Sequence, residues 1–390
     1  MVYFIAGSNV FGQWLCDDAV ISEFRHFTAT KHDLGIGLIQ ANLLQVNWSY
    51  NIFEADSVFY ITGAWDEKEH QLVRIPLPEE CSGSNAELSV IGNDYKILLI
   101  GKNVNKLWVI DLKTNKIKKI QFHVEEPHDY DIVKKHKKEN TIIKARISNN
   151  SCIFLTSNGS VYCGLLPSYV DTSHCKGKVI DVKCGYEHFI ILTEDGRVYT
   201  WGNGRLQLGH GDITSQELPT EIDALAGIKI TKISAGGWHS LALSEFGDLY
   251  AWGWNDTGQL GIKNISKESY SIPTLVDLFD ERETVVEKNT TDIACGSRHS
   301  AILLEDNTVW TTGCNKYGQL GLSEEKYPTQ NYFKKVFNCD TDCSLICGPW
   351  NSVIYSSQTA TYDMKEKEVS DSMTSDRAEW KKKTCRADPK

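Results

Sequence analysis

The stretch Ile233-Ser-Ala-Gly-Gly-Trp-His-Ser-Leu-Ala-Leu-Ser-Glu-Phe-Gly-Asp-Leu-Tyr-Ala-Trp-Gly-Trp-Asn-Asp-Thr-Gly-Gln-Leu-Gly261 is one copy of a unit that recurs along the chain. Related sequence surrounds His188 upstream and His299 downstream, and the three copies share a Gly-x-x-His core and a closing Gln-Leu-Gly. These histidines and His239 lie 51 and 60 residues apart. Internal periods of this order are typical of propellers and solenoids.

Each copy has the pattern of β-strands. Leu241 and Leu243 alternate with small residues, which is the period of a half-buried strand, and Leu249–Trp252 supplies the residues of a second strand. Gly247 between them provides the positive φ angle that a tight hairpin requires. A small antiparallel sheet cannot bury both of its faces alone, so neighbouring copies are expected to stack.

The two ends of the chain hold complementary parts of the unit. Tyr3–Gln13 matches the end of a unit, and Leu345–Ser356 matches its beginning. Openings near residues 46, 90, 147, 182, 233, 293 and 345 give seven copies. The copy near 90 is degenerate, and the copy near 46 is aligned with Ser49 at the histidine position. The sequence therefore predicts an all-β, seven-bladed β-propeller whose N- and C-terminal strands share one blade, a closure that removes open sheet edges.

The predicted propeller covers residues 1–356, with residues 2–13 completing the last blade and the clearest repeats at 180–356. Residues 357–390 are charged and poor in aliphatic side chains, and we expect them to be disordered. Twelve cysteines and the lack of a basic leader at the start of the sequence lead us to expect a reducing compartment. No apolar run approaches the length of a membrane span.

Charge is distributed unevenly along the chain. Residues 102–146 carry a net charge of +6 and residues 359–390 a net charge of +1, so the rest of the chain carries −17 against a total of −10. An acidic body argues against direct sequence-specific binding of nucleic acid and favours a basic protein partner. The basic run Lys134–Lys138 fits either a nuclear import signal or a solvated loop between blades.

The histidines and cysteines of the repeat have the pattern of structural groups. His188, His239 and His299 occupy one repeat position, so in a propeller they would lie along an arc instead of converging on one metal ion. Another repeat position accepts only small side chains, namely Cys184, Ala235, Cys295 and Cys347. No nucleophile elbow, phosphate-binding loop or zinc-ribbon spacing occurs, and the sequence predicts no catalytic residues, no cofactor and no metal site.

Large aromatic and arginine side chains recur on the turn before the histidine position. Tryptophan and arginine are the usual anchors of protein interfaces, and the repeat would bring these turns to one face. We favour an interface for Trp238 and Arg298, whereas Trp48 and Trp350 fit an interface and packing between blades equally well. Trp201 and Trp252 belong to the repeat signature and are predicted to lie in the core. The candidate partner-binding residues are Trp48, Trp238, Trp254, Asn255, Arg298 and Trp350.

The repeat resembles that of the regulator of chromosome condensation family of seven-bladed propellers. The resemblance rests on the motifs Gly-x-x-His-Ser, Asp-Gly-x-Val-Tyr-x-Trp-Gly and Gly-Gln-Leu-Gly, and it is strong over residues 180–356, weaker over 1–65 and poor over 66–145. One branch of small proteins, made of little except the repeat domain, is especially similar. The phrases that resemble this branch are Ala235–Ser240, Trp252–Asn255, Cys295–His299 and Cys347–Asn351.

This resemblance implies a non-catalytic propeller that binds a jumonji-C histone oxygenase, a demethylase or hydroxylase. It also implies a part in histone H3 lysine methylation, chromatin compaction and chromosome segregation. The expected location is the nucleus, on chromosomes, with the cytoplasm as an alternative. The expected state is a monomer within a heteromeric complex, with histones or nucleosomes as further partners. Two alternatives stay open: guanine nucleotide exchange on a small Ran-like GTPase, and an architectural or ubiquitin-ligase adaptor role.

Overall fold

In the computed structural model, the described residues are 1–27, 41–81, 88–101, 106–122, 141–149, 151–263 and 268–356. Within these ranges, 28 β-strands form seven four-stranded antiparallel sheets. The sheets are the blades of the predicted propeller, so the fold class and the number of blades are confirmed. The predictions about residues 357–390 and about Lys134–Lys138 lie outside the described residues.

Strands are numbered β1–β28 in chain order, and blades in the order of their innermost strands. Blade 1 contains β3 (Asn42–Val46), β4 (Tyr50–Ala55), β5 (Val58–Trp65) and β6 (Lys68–Arg74). Blade 2 contains β7 (Leu88–Gly92), β8 (Lys96–Gly101), β9 (Leu107–Asp111) and β10 (Lys116–Ile120). Blade 3 contains β11 (Ile142–Ile147), β12 (Cys152–Thr156), β13 (Val161–Cys163) and β14 (Ser168–Val170). Blade 4 contains β15 (Val179–Cys184), β16 (His188–Thr193), β17 (Val198–Gly202) and β18 (Gln216–Glu221). Blade 5 contains β19 (Ile230–Ala235), β20 (His239–Ser244), β21 (Leu249–Trp254) and β22 (Ser269–Leu275). Blade 6 contains β23 (Thr290–Cys295), β24 (His299–Leu304), β25 (Thr308–Cys314) and β26 (Thr329–Asn338). Blade 7 contains β27 (Ser344–Gly348), β28 (Asn351–Ser356), β1 (Val2–Ser8) and β2 (Val20–Phe27).

Blade 7 is built from both ends of the chain, as the sequence predicts. Strand β1 pairs with β28 from Val2 opposite Ser356 to Gly7 opposite Asn351. The N-terminal part contributes more than the expected single strand, because β2 pairs with β1 and forms the outer edge of the blade. The closing blade therefore depends on two N-terminal strands.

The innermost strands of the seven blades contact one another in a closed cycle, from β3 through β7, β11, β15, β19 and β23 to β27, which contacts β3 again. Apolar side chains fill the space between neighbouring blades. At the interface of blades 4 and 5, for example, Trp252 packs with Ile190 and Ile233, and all three are buried. Trp201 is also buried, so both signature tryptophans lie in the core as predicted.

The alternating strand directions define two faces of the ring. The turn between the first and second strands of a blade lies on the same face as the loop between its third and fourth strands. We call this the histidine-turn face. The hairpin between the second and third strands lies on the opposite face.

The expected alignment of blade 1 is wrong by one residue. In blade 5, His239 pairs with Gly253, and the corresponding pair in blade 1 is Tyr50 with Gly63. Tyr50, and not Ser49, therefore occupies the histidine position. The phenol explains the substitution, because Tyr50 Oη donates a hydrogen bond to Asn93 O of the next blade at 2.6 Å. Trp48 consequently lies two residues before that position instead of one.

Candidate functional site: the histidine-turn face

The three repeat histidines link successive blades. Each ring is fully buried and forms a hydrogen bond with a serine of the next blade. The pairs are His188 Nε2 with Ser240 Oγ at 3.1 Å, His239 Nε2 with Ser300 Oγ at 3.0 Å, and His299 Nε2 with Ser352 Oγ at 3.1 Å. The histidines thus form three separate inter-blade links along an arc.

The hydroxyl partners fix the protonation state of these rings. Ser300 Oγ donates to Gln259 O at 2.7 Å, so His239 Nε2–H is the donor to Ser300. Burial lowers the pKa of His188 and His299 to about 4 and that of His239 to about 3. The imidazoles are therefore neutral near pH 7, and their hydrogen bonds hold the turns of neighbouring blades in place.

The turns on this face are also tied together through their backbones. Tyr186 N–H donates to Gly237 O at 3.1 Å, Gly237 N–H to Ser297 O at 3.2 Å, and Ser297 N–H to Pro349 O at 3.0 Å. Tyr186 Oη also lies 2.6 Å from Ser297 Oγ, across the turn of blade 5. Side chains on the turns of blades 4 to 7 are thus presented on a rigid rim.

A patch of aromatic and arginine side chains lies on this rim at blades 4 and 5. The ring of Trp238 lies between Tyr186, at 5.8 Å between centroids, and Trp254, at 6.1 Å. The Arg205 guanidinium lies over Trp238 at 5.1 Å, and Trp254 Nε1 donates to Arg205 O at 2.9 Å. The three aromatic side chains are half-buried and Arg205 is exposed. We call Tyr186, Arg205, Trp238 and Trp254 the tryptophan–arginine patch.

Arg298 extends this surface toward blade 6. Its guanidinium forms an ion pair with Asp256, which also accepts a hydrogen bond from Gln259 Nε2 at 3.0 Å. The side chains of Arg298 and Asp256 are 40% and 29% exposed. A partner can therefore reach Arg298 without rearrangement of the turn.

A second aromatic cluster lies on the same face where blades 6, 7 and 1 meet. Trp48 lies 4.9 Å from Tyr317, 6.1 Å from Trp350 and 5.6 Å from Phe11 between ring centroids. All four side chains are half-buried. Trp48 and Trp350 therefore pack between blades and also present an accessible edge, which combines the two interpretations that the sequence leaves open.

Asn255 does not belong to the exposed surface. Its side chain is 8% exposed, and its Oδ1 accepts the Leu260 N–H at 3.0 Å. Asn9 and Asn315 make the same bond to the residue five positions later in their own loops. The expectation that Asn255 faces a partner is corrected, because its amide closes the loop from within.

The structure adds Tyr186, Arg205, Phe11 and Tyr317 to the residues expected from the sequence. Tyr186 lies on the expected turn, two residues before His188, whereas the other three lie on loops between third and fourth strands. Those loops contain the Gly-Gln-Leu-Gly signature, complete at Gly318–Gly321 and altered in the other two loops, and the sequence assigns its residues to the repeat itself. Knowing that both kinds of turn share one face would have directed attention to them.

Chemically, this face offers anchors for a protein surface. Among the described residues, no group of three or more histidine, cysteine, aspartate or glutamate side chains could hold a metal ion. In the same described ranges, no helix is long and apolar enough to cross a membrane.

Comparisons with known proteins agree with this architecture. A family model described as the regulator of chromosome condensation (RCC1) repeat matches residues 195–243 and 247–303, and a second model of the same description matches 179–206, 230–259 and 291–319. The mouse RCC1 domain-containing protein 1 is 33% identical over 217 residues, which are 46% of this chain and 55% of the mouse protein. The match thus spans about half the length of that relative.

Two solved structures share the fold over nearly the whole chain. Human WBSCR16 has a TM-score of 0.70 and 15% identity, with 92% of this chain and all of WBSCR16 covered. Prp20p of Saccharomyces cerevisiae, whose structure is described together with its binding to Gsp1p and histones, has a TM-score of 0.67 and 17% identity, with 90% of each chain covered. At these identities the likeness concerns the fold alone.

The described strands define the chain as a seven-bladed β-propeller that presents its turns on one rigid rim. Its repeats within residues 179–319 match the RCC1 repeat.

Proposed function

We propose that this propeller is a non-catalytic interaction module that binds a jumonji-C histone oxygenase on its histidine-turn face. The complex would act in the nucleus, in histone H3 lysine methylation, chromatin compaction and chromosome segregation. The observation that carries the binding role is the tryptophan–arginine patch. The identity of the partner rests on the resemblance to the repeat-only branch of the family, and the similarity to RCC1 domain-containing protein 1 supports that branch.

The patch has the properties of an interface anchor. Trp238 is held in one orientation by rings on both sides, so binding orders few additional rotamers. Half-buried tryptophan and arginine side chains dominate binding energies at protein interfaces. A role in core packing alone does not require Arg205 to lie exposed over Trp238, nor Arg298 to keep 40% of its side chain exposed.

The charge of the chain favours a basic partner surface. The chain carries −10 overall, and −17 outside residues 102–146 and 359–390. An acidic body attracts basic histone segments at long range, and salt screens this attraction. Histones or nucleosomes are therefore consistent further partners of the complex.

The test is affinity purification of the full chain from nuclear extract, followed by mass spectrometry. The variant Trp238→Ala/Arg298→Ala is expected to lose the oxygenase while its melting temperature stays close to that of the wild type. Phe246→Ala is the matched control, because Phe246 is 73% exposed on a hairpin of the opposite face. Arg298→Gln is a second variant, since breaking an exposed ion pair costs at most about 1 kcal/mol of stability.

Retention of every partner by both folded variants would contradict the proposed face. Recovery of a small GTPase in place of an oxygenase would contradict the proposed partner, and release of fluorescent GDP in the presence of the propeller would then measure exchange activity. A set of partners dominated by ligase subunits would favour the adaptor role instead. Immunofluorescence of the tagged chain tests the nuclear location.

A further inference from the structure

The innermost strands of the blades surround a central channel. Its accessible cavity has a volume of about 280 Å³ and is lined by these strands and by the turns of the histidine-turn face. Two of the lining side chains are cations, Arg146 on β11 of blade 3 and Lys183 on β15 of blade 4. Blades 3 and 4 are neighbours, so the two cations share one wall of the channel.

These cations are poorly neutralised. Asp181 is the nearby carboxylate, and its Oδ1 lies 3.0 Å from Lys144 Nζ while its Oδ2 lies 3.4 Å from Lys183 Nζ. Arg146 Nη1 donates to Ala145 O at 2.8 Å, and none of the carboxylates in the described ranges forms an ion pair with Arg146. Two lysines therefore share one carboxylate, and the guanidinium beside them has no ion pair among the described residues, in a chain that is acidic overall.

The electrostatic strain is visible at Lys183. Burial lowers the pKa of the Lys183 ammonium, the Arg146 guanidinium lowers it further, and Asp181 only partly opposes them. Asp94 is the one carboxylate among the residues that line the cavity, and it lies on the turn of blade 2. Burial raises the pKa of Asp94 to about 6, against hydrogen bonds from the backbone of Trp48 and Ser49. Asp94 therefore lies at the rim against the turn of blade 1, where its Oδ1 is buried without a hydrogen-bond partner among the described residues.

The neighbouring blades show what a neutralised arrangement looks like. Lys232 Nζ on blade 5 lies 2.8 Å from both Asp292 Oδ1 and Thr291 O on blade 6. Lys144 makes the equivalent pair of contacts to Asp181 and Ile180 O. The excess positive charge is thus confined to Arg146 and Lys183, two residues farther along the strands.

We propose that Arg146 and Lys183 form an anion-binding site in the channel for a small multivalent oxyanion of the phosphate class. An anion between the two cations would remove their mutual repulsion and supply the charge that the protein lacks there. The planar guanidinium can hold two oxygens of one ligand, and the ammonium a third. The site is independent of the tryptophan–arginine patch and of the partner that binds there.

The test is isothermal titration of the full chain with pyrophosphate, at an ionic strength held constant with sodium chloride. Lys183→Met and Arg146→Gln are each expected to raise the Kd at least about tenfold, since a hydrogen bond to a charged group contributes roughly 1.5–3 kcal/mol. Arg146 is exposed, so Arg146→Gln keeps the test valid if Lys183→Met fails to fold. Lys232→Met is the matched control, because it removes the same charge from a neutralised pair, and its Kd should stay within about twofold of wild type.

Absence of binding by the wild type, or equal weakening by Lys232→Met, would overturn the proposal. A parallel titration with citrate distinguishes a site specific for phosphoryl oxyanions from one that also binds polycarboxylates. Binding of pyrophosphate alone identifies a phosphoryl ligand, and comparable binding of citrate, lost in the same two variants, identifies a site that also accepts polycarboxylates.

Discussion

Acid should destabilise this propeller mainly through its three inter-blade histidines, and their replacement by asparagine should remove most of that effect. The unfolded chain binds protons on these rings near a pKa of 6.5, whereas burial lowers the folded pKa to about 4 for His188 and His299 and about 3 for His239. The unfolded state thus binds more protons. Stability from the neutral rings is present above pH 6.5 and is lost as the pH falls toward 4.

The magnitude follows from these pKa values. Between pH 7.5 and pH 5.0, each histidine should lower the free energy of unfolding by about 2 kcal/mol, and the three together by about 6 kcal/mol if they act independently. This change in the free energy of unfolding depends little on the folded-state pKa values, because at pH 5.0 the rings are protonated in the unfolded chain and neutral in the folded one. Asp94 acts in the opposite direction, since its pKa is raised to about 6 and its protonation in the folded state stabilises the ring as the pH falls.

The assay is guanidinium unfolding at pH 7.5 and 5.0 for the wild type and for His188→Asn/His239→Asn/His299→Asn. Blade 7 carries Asn351 at the same position, so the ring already accommodates this side chain. The variant is expected to be less stable at pH 7.5, because three inter-blade hydrogen bonds are lost or altered, but to lose much less stability on acidification. The effect of Asp94 cancels in the comparison. An equal loss of stability in both proteins would refute the assignment of the acid sensitivity to these histidines.

Two further predictions concern the closure and the turns. Deletion of residues 1–13 removes β1, which lies between β28 and β2, and should abolish cooperative thermal unfolding. Deletion of residues 357–390 should leave the melting temperature unchanged, because residues 2–356 complete all seven sheets. An unaltered thermal unfolding curve after the N-terminal deletion would contradict closure by a shared blade. Gly236→Ala should lower the free energy of unfolding by roughly 3 kcal/mol in denaturant unfolding, because the new Cβ would overlap the His239 ring. Gly227→Ala should lower it by about 1 kcal/mol for the φ of +86°, since nothing lies within 4 Å of the new Cβ. Similar losses of stability in the two variants would show that contact with the ring is not the cause.

The sequence predicts the fold well because the repeat leaves marks that do not depend on packing. Spacing of the histidines, the hairpin glycines and the complementary ends indicate the number of blades and the shared blade 7, and the structure confirms both. One position departs from the repeat in the sequence itself, since Leu206 stands where the other copies have Gly258 and Gly318. The structure gives Leu206 a φ of +75°, close to the +83° of Gly258 and +74° of Gly318 at equivalent positions.

The candidate surface is less predictable because it combines residues from different repeat positions. Trp238 and Arg298 could be selected on one turn, but Arg205 and Tyr317 lie on loops that the sequence describes only by their glycine signature. The burial of Asn255 could not be predicted from the sequence either, because its amide accepts a hydrogen bond within its own loop. The alignment of blade 1 failed for a related reason, since tyrosine and serine are both polar residues in a stretch without the usual glycine.

The recognisable repeats end where the chemistry of the inter-blade link changes. Histidine and serine connect blades 4 to 5, 5 to 6 and 6 to 7, and the repeat models match residues 179–319 in this part of the chain. At other interfaces different side chains reach the turn of the next blade. These links run from Tyr50 Oη to Asn93 O at 2.6 Å, from Asn93 Nδ2 to Ser148 O at 2.7 Å, from Ser151 Oγ to Tyr186 O at 3.1 Å and from Gln13 Nε2 to Trp48 O at 3.0 Å. Because the ring requires only that a side chain of one blade form a hydrogen bond with the next blade, and several repeat positions supply that side chain, the sequence can diverge while the ring stays closed. Blades 1 to 3 are therefore ordinary members of the ring that satisfy the same requirement with other residues.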